Sequence, residues 1–266
     1  KDIGGCFMEL TPSSESPTKP STEAAHSQLS LLDQLVGIFI SPAEVFEDVR
    51  RSPARTGTWL VPLIAFIVIS VVSGFLIFGD TRVQAQIREL TSKKMEQMVR
   101  EGKLTHEQAQ RAEEFSSASS GFAVATRVAG QVIVPPIAFF VVVLVYFLGG
   151  KLFFKTTATF AKTAEVVGVS YYVLALEVIV TTILVLAIGS MYASPSAALA
   201  ISSFDPGNKL DILLSKLNVF TVWYLVLLGI GLARVFERRA SLVSGMVFGF
   251  WIVWVVIQIL LGGSFG

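Results

Sequence analysis

Five apolar runs dominate the chain, at 59–79, 128–148, 165–188, 217–236 and 242–261. Each is close to the ~20 residues a helix needs to cross the hydrocarbon core of a bilayer. The pattern therefore predicts an all-α, polytopic membrane protein with five transmembrane helices. Ahead of the first run the spacing changes. Leu31, Leu32, Leu35, Val36 and Phe39 recur at helical period, and Ser41, Pro42 and Glu44 read as a new helix start: a cap, a first-turn proline and a capping-box acid. Val45, Phe46 and Val49 then share one face, Glu47, Asp48, Arg50 and Arg51 the other, and Ser52-Pro53 stops the run. That predicts an amphipathic interfacial segment over 29–58 whose second helix lies flat on the bilayer.

Between the first two runs, 80–122 carries seven basic and seven acidic residues. Val83, Ile87, Leu90, Met95 and Met98 mark one amphipathic helix that Gly102 can end, and Thr105 with Gln108 forms a capping box that opens another. A helical hairpin is expected there. The later loop, 192–216, holds Pro195, Pro206 and Gly207 and reads as irregular with a short surface helix. At the other end, residues 1–28 are expected to be a disordered tail, because its Ser, Thr, Pro and Glu cannot bury enough apolar surface to offset ordering entropy.

Composition agrees with the pattern: 53% hydrophobic, 15% charged and a mean hydropathy of +0.66, against roughly 45–50% apolar in soluble domains. A net charge of +1 supplies no basic stripe for nucleic acid. The basic residues are instead placed unevenly. Arg50, Arg51 and Arg55 precede the first span, Lys151, Lys155 and Lys162 separate the second from the third, and Arg234, Arg238 and Arg239 separate the fourth from the fifth. By the positive-inside rule these turns face the cytoplasm, with the N-terminus inside, the C-terminus outside and the 80–122 hairpin outside. Arg127, at the outer edge of the second span, runs against that bias.

Candidate chemistry is sparse. The single cysteine, Cys6, allows no intrachain disulfide, and the two histidines, His26 and His106, have no partner at metal-ligand spacing. No phosphate loop or nucleophile elbow is present, so no catalytic residue, metal or cofactor is expected. Polar and helix-bending residues within the spans remain. Glu177, near the middle of the third run, would cost at least about 2.5 kcal/mol as an unpaired carboxylate, so it is expected to be protonated, paired or turned to a wet cavity. It has two readings: a proton or cation relay, or a hydrogen bond holding the bundle together. Pro135-Pro136 are expected to interrupt and kink the second span. Gln131 and Gln258 suit interhelical hydrogen bonds, and Gly245 with Gly249 suits close helix contact, within one chain or between copies.

The segment FISPAEVFEDVRRSP followed by WLVPLI, with Ser41, Pro42, Phe46, Pro53 and Pro62, resembles the approach to the membrane domain in bacterial members of the Yip1 family. LNVFTVWYLVLLGIGLARV, with Phe220, Trp223, Gly229 and Gly231, resembles that family's fourth span. The Gly-Pro-Trp signature that eukaryotic members carry before the first span is absent here. The resemblance implies a noncatalytic scaffold or accessory subunit in the bacterial cytoplasmic membrane. Its expected partners are lipids and another integral membrane protein, with ABC-type exporter subunits and a second copy of the chain among the candidates. A small transporter or channel built on Glu177 is the alternative.

Overall fold

The structure, a computed structural model, describes residues 28–116, 121–201, 204–205 and 208–260. The N-terminal segment with Cys6 and His26, Pro206 and Gly207, and the segment from Leu261 onward lie outside these. In chain order, α1 (Leu31–Ile40) and α2 (Pro42–Arg51) precede α3 (Thr56–Gly79). Next, α4 (Thr81–Arg100) and α5 (His106–Ser116) form the excursion that leads to α6 (Gly121–Phe154). After α7 (Phe160–Ile188), a 3-10 turn (Ala197–Ala200) and α8 (Lys209–Lys216) connect to α9 (Val219–Phe236) and α10 (Ala240–Leu260). Five of these helices, α3, α6, α7, α9 and α10, are long and apolar enough to cross a membrane. No strand occurs among the described residues; Ser196 and Asn218 form one isolated bridge.

Four of the observed spans begin before their apolar runs, α6 most of all, since it also takes in Arg127 and Lys151, whereas α9 begins two residues inside its run. Long basic side chains reach the interface from positions nearer the core, so a charge does not end a helix. Helical backbone also continues through Pro135 and Pro136, and the expected interruption does not occur. A membrane helix can absorb the missing N–H bonds by local adjustment.

At the centre, α3 packs along α7. Gly168 makes this possible, because a Cβ there would collide with the backbone of Trp59. Trp59 in turn stacks on Phe139 of α6 at 5.5 Å, Phe139 meets Tyr171 of α7 edge-on at 5.3 Å, and Tyr171 meets Tyr224 of α9 at 6.2 Å. Trp59, which its position marks as an interfacial anchor, is thus spent inside the bundle. Gln131 of α6 fills the space left by Gly74 of α3 and donates to the Ser70 carbonyl at 3.1 Å.

The first two helices differ most from expectation. Ser41 makes no side-chain cap, so the capping box with Glu44 is absent. That device stands instead at the start of α1, where Ser30 and Asp33 cap each other. The reason is local. Ser41 is shared by two helices, its N–H donating back to the Gly37 carbonyl while its own carbonyl receives Glu44 and Val45. Nor does the apolar face of α2 rest on lipid: Val45, Phe46 and Val49 are at most 2% exposed and belong to the protein core. Three contacts set α2 lengthwise beside α9: Arg50 pairs with Glu237 at 3.2 Å, Phe46 lies against Gly231, and Phe39, just before the corner, meets Trp223 edge-on at 5.5 Å. Residues 237, 231 and 223 descend α9, so the α1–α2 pair folds down along that helix. The stripe exposed outward is Leu32, Val36 and Ile40 of α1.

Candidate functional site

The candidate residues fall into two regions, one at the face of the bundle bearing the basic turns and one toward the opposite face. At the basic face, the turn between α2 and α3 is clamped onto the first turns of α7. Thr159 caps α7 by accepting from the Lys162 N–H. One helical turn places Lys162 and Glu165 side by side, joined at 2.8 Å with side chains 15% and 3% exposed. The Lys162 ammonium also donates to the Val49 carbonyl and, at 2.6 Å, to the Ser52 carbonyl. Glu165 accepts the backbone N–H of Arg55, whose guanidinium donates to the Leu29 carbonyl at 2.9 Å. A buried ion pair with its remaining hydrogen-bonding capacity taken up by backbone thus holds α1, the α2–α3 turn and α7 together. Pro53 lies exposed in that turn and Pro62 is buried in α3.

Glu47 forms a second knot. It pairs with Arg50 at 2.6 Å, Arg51 at 2.7 Å and Arg234 of α9 at 3.6 Å. The Arg50 hydrogen bond, with a further one from Arg51, lowers its pKa from 4.5 to about 2. The two glycines of the Gly229-Ile230-Gly231 motif serve different neighbours. A Cβ on Gly229 would strike Ser244 of α10, and one on Gly231 would come within 2.8 Å of the Phe46 ring and 2.5 Å of Val166. Trp223 stacks with Phe220 at 6.3 Å. Phe46 and Gly231 are therefore brought together, while Trp223, two turns along α9, meets Phe39 and Phe220 instead, and Ser41 and Pro42 form the corner that aims Phe46.

Sequence reasoning missed three residues here. Glu165 read only as the first residue of a span, although a carboxylate opening an apolar run one turn after a lysine was the available signal. Asp48, assigned to the polar face of α2, is 6% exposed; one oxygen accepts from Ser52 and the other has no partner. Gln34 is 1% exposed and neither polar atom of its side chain is bonded. Gly37 contacts Val45 across the corner, and one turn further from it on each helix stand Gln34 and Asp48.

Toward the opposite face, Glu177 is half-buried and accepts from the Asn218 amide at 2.6 Å. Asn218 caps α9 through its other atom, accepting the Phe220 N–H at 2.9 Å, and the bridge to Ser196 fixes its backbone. Glu177 thus meets the start of a helix rather than the middle of a bundle. It borders a groove of about 320 Å³ whose other walls are Phe66, Ile77, Leu174, Val178, Thr181 and Thr182. Pro135 and Pro136 do not line this groove, so the structure does not join them to Glu177.

Beyond this end stands the α4–α5 pair. Asp80 caps α4 by accepting from the Arg82 and Val83 N–H groups. Arg82 donates to the Leu186 carbonyl, and Gln86 both donates to the Gly189 carbonyl and accepts the Met191 N–H. With Val83 fully buried, the base of α4 is fixed to the end of α7, whereas Lys93, Lys94, Glu96, Gln97 and Arg100 are exposed. Gly102 turns the chain with φ +68°, and Thr105 and Gln108 form the capping box of α5. Arg127 lies 3.6 Å above the Phe78 ring, a cation–π contact that holds its charge at this end.

A family model described as the Yip1 domain matches residues 36–262. No curated protein and no solved structure matches the chain.

Proposed function

The chain belongs to the Yip1 family, and from that premise we propose that this integral membrane protein is a noncatalytic scaffold that docks on another membrane protein through its α4–α5 arm. The supporting observation is the division of labour along α4. In its first turns Val83 is buried and Arg82 and Gln86 are bonded to the end of α7, and the turns beyond present charged side chains of both signs to solvent. A rigid base with a free polar face is what a docking element requires. The placement of the polar groups points the same way, since Glu165, Gln131 and Glu177 are each bonded to a neighbouring helix or turn. In this reading the basic turns face the cytoplasm of a bacterial cell and the arm lies outside; subunits of an exporter are partners of the right kind.

The test replaces residues 81–120 by a short Gly-Ser linker and compares partners crosslinked in native membranes. Loss of a membrane partner that the parent captures is expected, with the five spans still inserted. Retention of every partner would overturn the role of the arm.

The groove beside Glu177 favours a second reading, a small transporter. Proteoliposomes of the parent and of Glu177→Gln decide it. Transport requires a proton or cation flux that the substitution abolishes, and the scaffold reading expects no flux from either protein.

A further inference from the structure

Two basic groups share one face of the bundle, and among the described residues only one is neutralised by carboxylates. Arg50, Arg51 and Arg234 are paired to Glu47, and Arg50 also to Glu237. Around the corner, Lys151, Lys155, Arg238 and Arg239 have no carboxylate partner among the described residues. Lys151 donates to the Thr156 carbonyl at 2.9 Å, Arg238 donates to the carbonyls of Phe154 and Glu237, and the exposed side chains of Lys155 and Arg239 make no hydrogen bond or ion pair among the described residues.

Side-chain contacts at the end of α6 bring these four cations to one place. Gly149 and Gly150 leave room for the rings of Phe250 of α10 and Phe236 of α9, since a Cβ on Gly149 would lie 2.9 Å from the Phe250 ring and one on Gly150 2.6 Å from the Phe236 ring. The next residue, Lys151, is thereby placed beside the α9–α10 turn, where Arg238 reaches the Phe154 carbonyl at 3.0 Å. Lys155, which follows the last residue of α6, has φ +49°. The α9 end closes in the same way, with Glu237 at φ +54°; a left-handed residue after the last turn is a common helix ending, and here it leaves Lys155 exposed beside Lys151. Beside these cations, Leu152 and Phe153 of α6 and Leu242 of α10 are more than half exposed.

We propose that Lys151, Lys155, Arg238 and Arg239 form a binding site for the headgroup of an anionic phospholipid, with acyl chains lying on Leu152, Phe153 and Leu242. Cations without carboxylate partners among the described residues, at the ends of membrane-spanning helices and beside exposed apolar side chains, match a phosphate attached to hydrocarbon; a basic pocket between such helices is a site for such headgroups. Arginine supplies paired donors to phosphate oxygens, and lysine a point charge.

The test uses the full chain in neutral detergent, titrated with water-soluble short-chain phosphatidylglycerol, with phosphatidylcholine of the same chain length, and with inorganic phosphate. Binding is read by native mass spectrometry and by the thermal midpoint. Phosphatidylglycerol is expected to bind at least tenfold more tightly than phosphatidylcholine, with no competition from inorganic phosphate at equal concentration. Lys155→Asn/Arg239→Gln removes two cations that bond to nothing among the described residues, and asparagine tolerates the left-handed backbone. At roughly fivefold per cation near a lipid surface, the double variant should lose about thirtyfold in affinity. Lys93→Gln/Lys94→Gln, which removes the same charge from α4, should stay within twofold of the parent. Should the double variant misfold, Arg239→Gln alone should lose about fivefold. The proposal fails if the double variant binds as the parent does, if the α4 variant loses as much, if phosphatidylcholine binds equally, or if phosphate displaces the lipid, which would mark a site for free anions.

Discussion

Replacing Glu165 by alanine should open the turn between α2 and α3, and the geometry sets the scale. The side chains of Lys162 and Glu165 are 15% and 3% exposed. Removing one member of a buried pair costs about 3–5 kcal/mol, because the other charge stays buried. Lys162 keeps the carbonyls of Val49 and Ser52, which reduces that figure, while the Arg55 N–H loses its acceptor, adding about 1–3 kcal/mol. The lower end, about 3 kcal/mol, is taken as the net cost of holding the turn. At 1.4 kcal/mol per tenfold, the open population should rise by more than about a hundredfold. Tryptic cleavage after Arg55, followed in detergent at low protease, tracks that population when reclosing outpaces cutting. Glu165→Gln keeps an acceptor for the Arg55 N–H and should fall between parent and Glu165→Ala. Lys162→Met/Glu165→Leu, which removes both charges and keeps the volume, should be cut more slowly than Glu165→Ala. A Glu165→Ala protein cut within fivefold of the parent rate, or a double variant cut faster than it, would refute the assignment of this pair as the clamp.

Three further outcomes follow from the same contacts. Gly231→Leu should push Phe46 out of its seat and forfeit about 1.5–3 kcal/mol of burial, read as a lower thermal midpoint and as thiol labelling at Val49→Cys in a Cys6→Ser background, where Gly245→Leu, whose Cβ position meets nothing within 4 Å, should change neither. The folded pKa of Glu47 is depressed from 4.5 to about 2, so its contribution is present above pH 4.5 and is lost as pH falls through about 2. The midpoint gap between parent and Glu47→Gln should accordingly be widest near pH 7 and shrink as pH falls below 4.5. Glu177→Leu leaves the Asn218 amide without its acceptor and should cost about 1–3 kcal/mol, whereas Glu177→Gln retains the bond and should cost less than half of that in the same thermal scan; equal losses would show that charge, not the hydrogen bond, matters there.

The spans were legible because a run of about twenty apolar residues has few other uses, and the hairpin devices because Gly102 and the Thr105–Gln108 box act within one turn of chain. Both helices of the α1–α2 pair were legible, but where the apolar face of α2 packs was not, for a reason that can be named. Val45, Phe46 and Val49 make the same stripe whether they cover lipid or α9, and periodicity reports that a face is apolar without reporting what covers it. Ser41 misled for a related reason, since a residue closing one helix has already committed its N–H when the next begins. Resemblance supplied Phe46, Gly229 and Gly231 as a pattern; only the packing explains it, one glycine admitting α10 and the other admitting Phe46.

The two acids of α7 support one conclusion about how this chain uses polarity. Glu165 stands in the first turns of the helix and Glu177 farther along it, yet each is bonded to the point where another helix begins: Arg55 immediately precedes α3, and Asn218 caps α9. A helix start leaves several N–H groups without intrahelical partners and carries partial positive charge, so it is the place in an apolar bundle where a carboxyl group finds donors. The acids therefore fix where α3 and α9 begin along α7, a registration that oily faces sliding on one another cannot specify. A bundle registered in this way presents a fixed base to the α4–α5 arm, which a docking surface needs and a gate does not.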